Sequence, residues 1–295
     1  MVFSVLLLLF NVTPSFAGNV IFVTIDGVRP EDASRIFANS APYSYSVQVS
    51  NSSAKSLPGY RALFSGNYES QCTGNYSCEN IDRETLIDHF VDGGLDLNRI
   101  AAFASWKQLG LAIESKPRII RSISGKLEGP VSILSDDLKN KINSLNLRAR
   151  SDLPPWKNAI KDIYTWSLAM LYLNMHHPRF LYIGLLDTDE WGHQHKKIKY
   201  LKELRLLKNR IEQLQMLLAQ LGDYGRDTSI VLTTDHGRGR WPFFSGHGKN
   251  LLHSFRAWAR VYPSQNRTDK NEFPTKIKIQ TDIRPLLQTW VSDLK

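Results

Sequence analysis

The residues best able to do chemistry in this chain are carboxylates and imidazoles that follow apolar runs or sit beside glycines. Asp26 and Gly27 follow NVIFVTI, Asp187, Thr188 and Asp189 follow FLYIGLL, and Asp235, His236 and Gly237 follow SIVLTT. Two more histidines stand in glycine-bearing stretches, His193 closing D-x-x-G-H from Asp189 and His247 lying between Gly246 and Gly248. Carboxylates gathered in one place repel each other and hold raised pKa values unless a cation neutralises them. Aspartate oxygen with histidine nitrogen is a donor set that Zn²⁺ accepts at about 2.0–2.2 Å and that also suits Mn²⁺, whereas Ca²⁺ takes oxygen alone. The pattern points to divalent ions, zinc before manganese, on Asp26, Asp189, His193, Asp235, His236 and His247. Asp187, His195 and His253 are read as structural or surface residues.

Such a cluster needs elements that converge. Asn19 to Ile25, Arg99 to Ala104, Phe180 to Leu186 and Ser229 to Thr234 are short, β-rich apolar runs that read as strands covered on both faces. Between them, Trp156 to His177 and Ile198 to Leu221 carry apolar residues at helical period and stop at Pro178 and Gly222. Alternation of this kind predicts a single α/β domain with a central, mainly parallel sheet flanked by helices. In an open sheet of that type ligands bind outside the carboxyl ends of the strands, which is where these acidic residues fall.

The candidate nucleophile is Ser56, at the start of SLPGYRALFSG, with a purely structural helix N-cap as the other reading of that residue. The segment reads as a helix with Ser56 as N-cap, Pro58 inside the first turn and Gly66 as the stop. A helix start also presents backbone N–H groups and a positive dipole end to an anion such as a phosphoryl group, and a coordinated hydroxyl becomes a usable alkoxide.

The chain has 295 residues, 42% of them hydrophobic and 22% charged, enough for one well-buried core and with no visible linker. Its formal charge of +9 is scattered, densest over His195 to Lys208 where basic residues alternate with Leu and Ile as on a solvated helix face. We read it as a field that attracts small anionic esters, not as a nucleic-acid surface. Met1 to Ala17 resembles a signal peptide, with the apolar run Val5 to Phe10 and a small-residue cleavage site at Ala17, leaving 18–295 as an exported, periplasmic or secreted domain with no stable membrane insertion. A buried first strand or a retained anchor is the other reading of those residues. Cys72 and Cys78 are either a short-loop disulfide, as export permits, or free thiols.

In order along the chain, the strand ending in Asp26, the Ser56-x-Pro58 helix start, D-x-x-G-H, D-H-G and G-H-G resemble the alkaline phosphatase superfamily. The nucleotide pyrophosphatase/phosphodiesterase and cofactor-independent phosphoglycerate mutase branches are the most similar. The resemblance spans Val20 to Gly248. It implies one metal on Asp189, His193 and His247, a second on Asp26, Asp235 and His236, and a phosphoseryl intermediate on Ser56. The sequence departs from that pattern at Gly59, where phosphodiesterase relatives place an Asn that holds a phosphoryl oxygen; a backbone N–H, Lys55 or Lys107 is left to replace it. Gly59 and Tyr60 also stand where sulfatases carry Ser-Arg, which disfavours sulfate. The reading is a metal-dependent hydrolase of phosphate esters, with a phosphodiesterase, a sulfatase or a non-catalytic phosphate-binding relative as alternatives. Trp106, Trp191 and Trp241 in or beside loops, with Arg29 and Lys55 nearby, favour an ester with a bulky organic group.

Overall fold

The computed structural model describes residues 18–38, 40–75, 78, 83–267 and 276–291. The expected leader, Met1 to Ala17, lies outside them. Among the described residues, one eight-stranded sheet runs through the molecule. Its strands are β1 (Asn19–Ile25), β2 (Tyr43–Gln48), β3 (Ile100–Ala104), β4 (Ile120–Ile123), β5 (Lys126–Glu128), β6 (Phe180–Leu185), β7 (Thr228–Thr233) and β8 (Arg256–Tyr262), in spatial order β2-β8-β7-β1-β6-β3-β4-β5.

The centre is parallel. β1 pairs with β6 on one side and β7 on the other, and Ile25 lies opposite Leu185 while Thr24 lies opposite Thr233. The three strands therefore end level, and the acidic residues that follow them arrive at one edge. The antiparallel strands sit outside this centre: β8 on β7, β2 on β8 and β5 on β4. β2 and β8 are absent from the sequence reading because Tyr-Ser alternation in one and Arg256 and Arg260 in the other break the continuous apolar run that marks a central strand.

Successive side chains of β1 go to opposite faces, Val20 and Phe22 into one core and Ile21, Val23 and Ile25 into the other. Helices α1 (Pro30–Ile36), α2 (Ser56–Ser65), α3 (Leu86–Asp92), α4 (Gly110–Ile113), α5 (Asp136–Ser151), α6 (Asp162–His176), α7 (Asp187–His193), α8 (Lys197–Gln220), α9 (Gly222–Arg226) and α10 (Ile283–Val291) cover the sheet. α2, α3 and α10 pack on the first core, α5, α6 and α8 on the second. Tyr200, Leu204, Leu207, Ile211, Leu214 and Leu218 form the buried stripe of α8 at three- and four-residue steps.

Two boundaries differ from the periodic pattern. α6 begins at Asp162, six residues after Trp156, because Lys161 is extended and the Asp162 amide is capped from outside the helix by the Asp187 carboxylate at 3.1 Å. Ser56 is the first residue inside α2 and Lys55 is its N-cap, with no side-chain cap bond. The Ser56 hydroxyl is thereby released from capping. Cys72 and Cys78 are joined as a disulfide, and no helix among the described residues is long and apolar enough to cross a membrane.

Candidate active site

Asp26 follows β1 with no solvent exposure, its own N–H donated to the Leu185 carbonyl at 3.0 Å. Its side chain is held from two sides. Tyr60, one turn after Ser56 on α2, donates its hydroxyl to Oδ2 at 3.2 Å, and the Ser56 hydroxyl lies 3.3 Å from Oδ1. Thr188 completes the clamp by donating Oγ1 to the Asp26 carbonyl at 2.6 Å.

Ser56 Oγ also lies 3.2 Å from His236 Nε2. His236 is fully buried, and its Nδ1 stands 2.7 Å from the Gly237 carbonyl, which only a protonated Nδ1 can satisfy. That contact leaves Nε2 unprotonated and facing Ser56, Asp26 Oδ1 at 3.5 Å and Asp235 Oδ2 at 3.3 Å. His247 repeats the device, with Nδ1 at 2.9 Å from the Ala54 carbonyl and Nε2 directed inward.

Two sets of donor atoms are close enough to share an ion: Asp26, Asp235 and His236, and Asp189, His236 and His247. His236 is common to both. His193 joins the second set through Nε2, 2.8 Å from Asp189 Oδ2 and 3.2 Å from His247 Nε2. All six candidate ligands are thus neighbours, with Ser56 against the first set.

The electrostatics separate the two sets. Burial, then the charges of Asp235 and Asp189, push Asp26 well above the usual carboxylate range, and burial pushes Asp235 up to about 8. Burial acts on Asp189 in the same sense, but Arg238, His193 and His247 outweigh it and hold Asp189 well below that range. Arg238 is fully buried, bonds Asp189 through the carboxylate and at 2.9 Å through the carbonyl, and reaches the carbonyls of Gly27 and Phe244 at 3.3 and 3.0 Å. Arg238 acts on Asp26 too, but burial and the neighbouring carboxylates outweigh it, and Asp235 Oδ2 is buried without a hydrogen bond. A divalent cation fits there: it would satisfy that oxygen, relieve the repulsion and accept the Nε2 lone pair of His236.

Backbone shape matters at two glycines. Gly27 has φ +63°, its N–H reaches Asp235 Oδ1 at 3.0 Å, and a Cβ on it would overlap the Asp189 carboxylate. Gly59 lies against Asp235, so the Asn expected by the resemblance has no room there. The α2 start is instead served by Asn75, whose Oδ1 accepts the Leu57 N–H at 3.1 Å. Asn51 shapes the approach to Ser56 by accepting the N–H groups of Ser53 and Ala54 at 3.1 and 2.7 Å.

Of the proposed substrate groups, Lys55 lines a cleft of about 850 Å³ with Ser53, His247, Lys249 and Leu251. Lys107 instead lines a separate cleft of about 620 Å³ with Arg61, Glu114 and Arg121, whose wall includes neither Ser56 nor any candidate ligand. Trp106 packs half-buried against the first core and Trp191 lies edge-on to Trp156 at 5.0 Å, while Trp241 is 80% exposed on the loop between His236 and His247. Arg29 is taken up by Glu31 and Asp32, at 3.8 and 3.6 Å. Sequence reading missed Tyr60, Asn75 and Arg238. Tyr60 had a signal, its four-residue spacing from Ser56, and Arg238 stood two residues beyond His236; Asn75 had none.

No protein-family model and no curated protein matches the sequence. Solved structures do match in shape. An alkaline phosphatase from the Antarctic bacterium TAB5 superposes with a TM-score of 0.54 at 12% identity, over 92% of this chain and 97% of that one. This chain has the alkaline phosphatase fold. Other structures with that fold include a 2-O GAG sulfatase, TM-score 0.57 and 11% identity over 93% of this chain and 70% of that one. A phosphonate monoester hydrolase of Agrobacterium radiobacter matches with TM-score 0.56 and 11% identity over 93% and 73%. Within the alkaline phosphatase fold the described cluster occupies the carboxyl ends of β1, β6 and β7.

Proposed function

We propose that the protein hydrolyses organic phosphate esters through a phosphoserine formed on Ser56, with two divalent ions, zinc before manganese, held by Asp26, Asp235 and His236 and by Asp189, His193 and His247. The observation that carries the reading is the position of Ser56 Oγ, freed from capping at the start of α2 and within 3.3 Å of Asp26 and 3.2 Å of His236. A mutant of the TAB5 alkaline phosphatase has been solved with Mg bound, so a protein of this fold takes a divalent ion.

Bound at these donors, such ions supply Lewis acidity, lowering the hydroxyl pKa and neutralising charge on the phosphoryl oxygens. The rest falls to the chain. Tyr60, Thr188 and the Gly27 amide orient Asp26 and Asp235, and the Gly237 and Ala54 carbonyls orient His236 and His247. The positive end of α2 faces the phosphoryl anion, with Lys55 at the rim of the adjoining cleft. Ser56 Oγ gives up its proton and bonds to phosphorus as the P–O ester bond breaks and the alcohol leaves with a proton; water then breaks the P–Oγ bond, its oxygen going to inorganic phosphate and a proton returning to Ser56. Gly59 favours phosphate over sulfate, because the position that carries Ser in the sulfatase motif can hold no side chain here. The Cys72–Cys78 disulfide supports an exported protein.

The test is a trap. Incubation of the zinc-loaded protein with an aryl phosphate, followed by acid quench and peptide mass spectrometry, should place phosphate on Ser56. Dominant hydrolysis of sulfate esters with no phosphorylated peptide would overturn the assignment.

A further inference from the structure

Asp189 and His193 are carried by α7, which has only seven residues. A helix that short does not hold itself together in water, so its place depends on what binds its ends. Its first turn is fixed by a carboxylate from another element. Asp162, the first residue of α6 and 2% exposed, accepts the Leu186 N–H on Oδ1 at 2.8 Å and the Asp187 N–H on Oδ2 at 3.0 Å. The favour is returned by Asp187, whose Oδ2 accepts the Asp162 N–H at 3.1 Å. Each helix start is capped by the acid that opens the other.

The pair is tied to the sheet. Ser105, immediately after β3, donates Oγ to Asp162 Oδ1 at 2.6 Å, and its own N–H goes to the Gly184 carbonyl of β6 at 2.9 Å. A continuous path of hydrogen bonds thus runs from β3 and β6 through Ser105 and Asp162 to the first amides of α7. Asp189 follows two residues later, its N–H on the Leu186 carbonyl at 3.0 Å, and His193 lies one turn further on the same face.

We propose that Asp162 is a positioning residue for the ion site formed by Asp189, His193 and His247, although it touches none of them. The inference rests on the proposed function only in taking those residues as ligands. Asparagine at position 162 would break the cap, because its NH₂ would face an N–H donor where a carboxylate oxygen now accepts. Outer partners that orient ligands typically change affinity by one to two orders of magnitude.

The experiment is a zinc titration of metal-free protein against a competing chelator of known affinity, on wild type, Asp162→Asn, Ser105→Ala and Asp88→Asn. Asp88→Asn is the control for lost stability, since Asp88 caps α3 and its carboxylate bonds Thr85, Ser115 and Arg118. Wild type should bind two equivalents. Asp162→Asn should weaken one of them roughly 10- to 100-fold and leave the other within about threefold, with Ser105→Ala acting on the same equivalent by a smaller factor. Unchanged isotherms in Asp162→Asn, or equal weakening of both equivalents shared by Asp88→Asn, would overturn the inference. If Asp162→Asn does not fold, Ser105→Ala decides, and its unchanged isotherms would have the same result. Wild type that takes up no zinc would instead overturn the proposed function.

Discussion

Gly59 of α2 rests on the backbone of Asp235, so that a Cβ on Gly59 would stand 2.5 Å from the Asp235 carbonyl oxygen. The contact joins the helix that begins with Ser56 to the loop that bears Asp235 and His236. Backbone on both sides leaves nothing flexible to yield. Gly59→Ala should therefore cost about 1–3 kcal/mol of stability and, through a shift near 1 Å between nucleophile and ligands, about 100-fold in turnover. Thermal unfolding and aryl phosphate kinetics check this; wild-type values in both would show that the contact is looser than described.

Ser56→Ala separates chemistry from architecture. Lys55, not Ser56, is the N-cap of α2, so the substitution removes only a hydroxyl whose bonds are to Asp26 and His236. Turnover should fall by several orders of magnitude, while melting temperature changes by no more than about 1 kcal/mol would produce and metal content is retained. Equal activity in the variant would point to Ser52, Ser53 or a directly attacking water.

Metal content tests the ligand sets directly. Purified protein should carry close to two equivalents of transition metal by elemental analysis, and a chelator should abolish activity. Asp235→Asn should lower the content toward one equivalent, because Asp235 belongs to only one of the two donor sets. Activity that persists in chelator, with no metal found, would remove the mechanism.

Substrate preference turns on Trp241. With Trp106 and Trp191 engaged in packing, it is the tryptophan of the three still open to an incoming group, and Phe243 beside it on the same loop is 64% exposed. Aryl or nucleoside phosphates should be cleaved with higher kcat/KM than glycerol phosphate, and Trp241→Ala should lower that ratio by a factor of roughly 5–10, about the worth of one exposed aromatic contact. A preference for glycerol phosphate in the wild type would refute the aromatic argument.

Glu114 gives a pH signature away from the active site. Its side chain is buried with Oε2 lacking a hydrogen bond, and burial raises its pKa to about 7. A carboxyl raised in the folded state adds stability that is complete below its unfolded pKa and is lost as pH rises through the folded one. Stability should thus decline between about pH 5 and pH 8 by an amount up to about 3 kcal/mol, and Glu114→Gln should flatten the slope. Parallel Tm profiles of wild type and variant across that range would contradict this.

The centre of the fold was legible because buried parallel strands write themselves as continuous apolar runs, and their ends are marked by the acids that follow. Asn19–Ile25 is such a run, and β1 has the same bounds. The glycine-flanked histidines were legible as a group because so many donors at strand ends have few other uses. What the sequence hid depended on distance. Nothing local says that Asp187 caps α6, or that Asn75, 18 residues beyond Leu57, returns to its amide. Lys107 is named only as a possible replacement for the Asn missing at Gly59, yet β3 is separated from β1 by β6, and the residue opens onto another cleft.

Arg238 bears on how the protein tolerates losing its ions. It binds Asp189, Gly27 and Phe244 together with protein groups alone, so the frame around β1, β6 and the D-H-G loop does not wait for a metal to assemble it. Small zinc domains, whose folding energy is the binding energy, unravel when stripped. Here chelation should leave an intact shell with two repelling acids in it, and inactivation should reverse on adding zinc back without a refolding step.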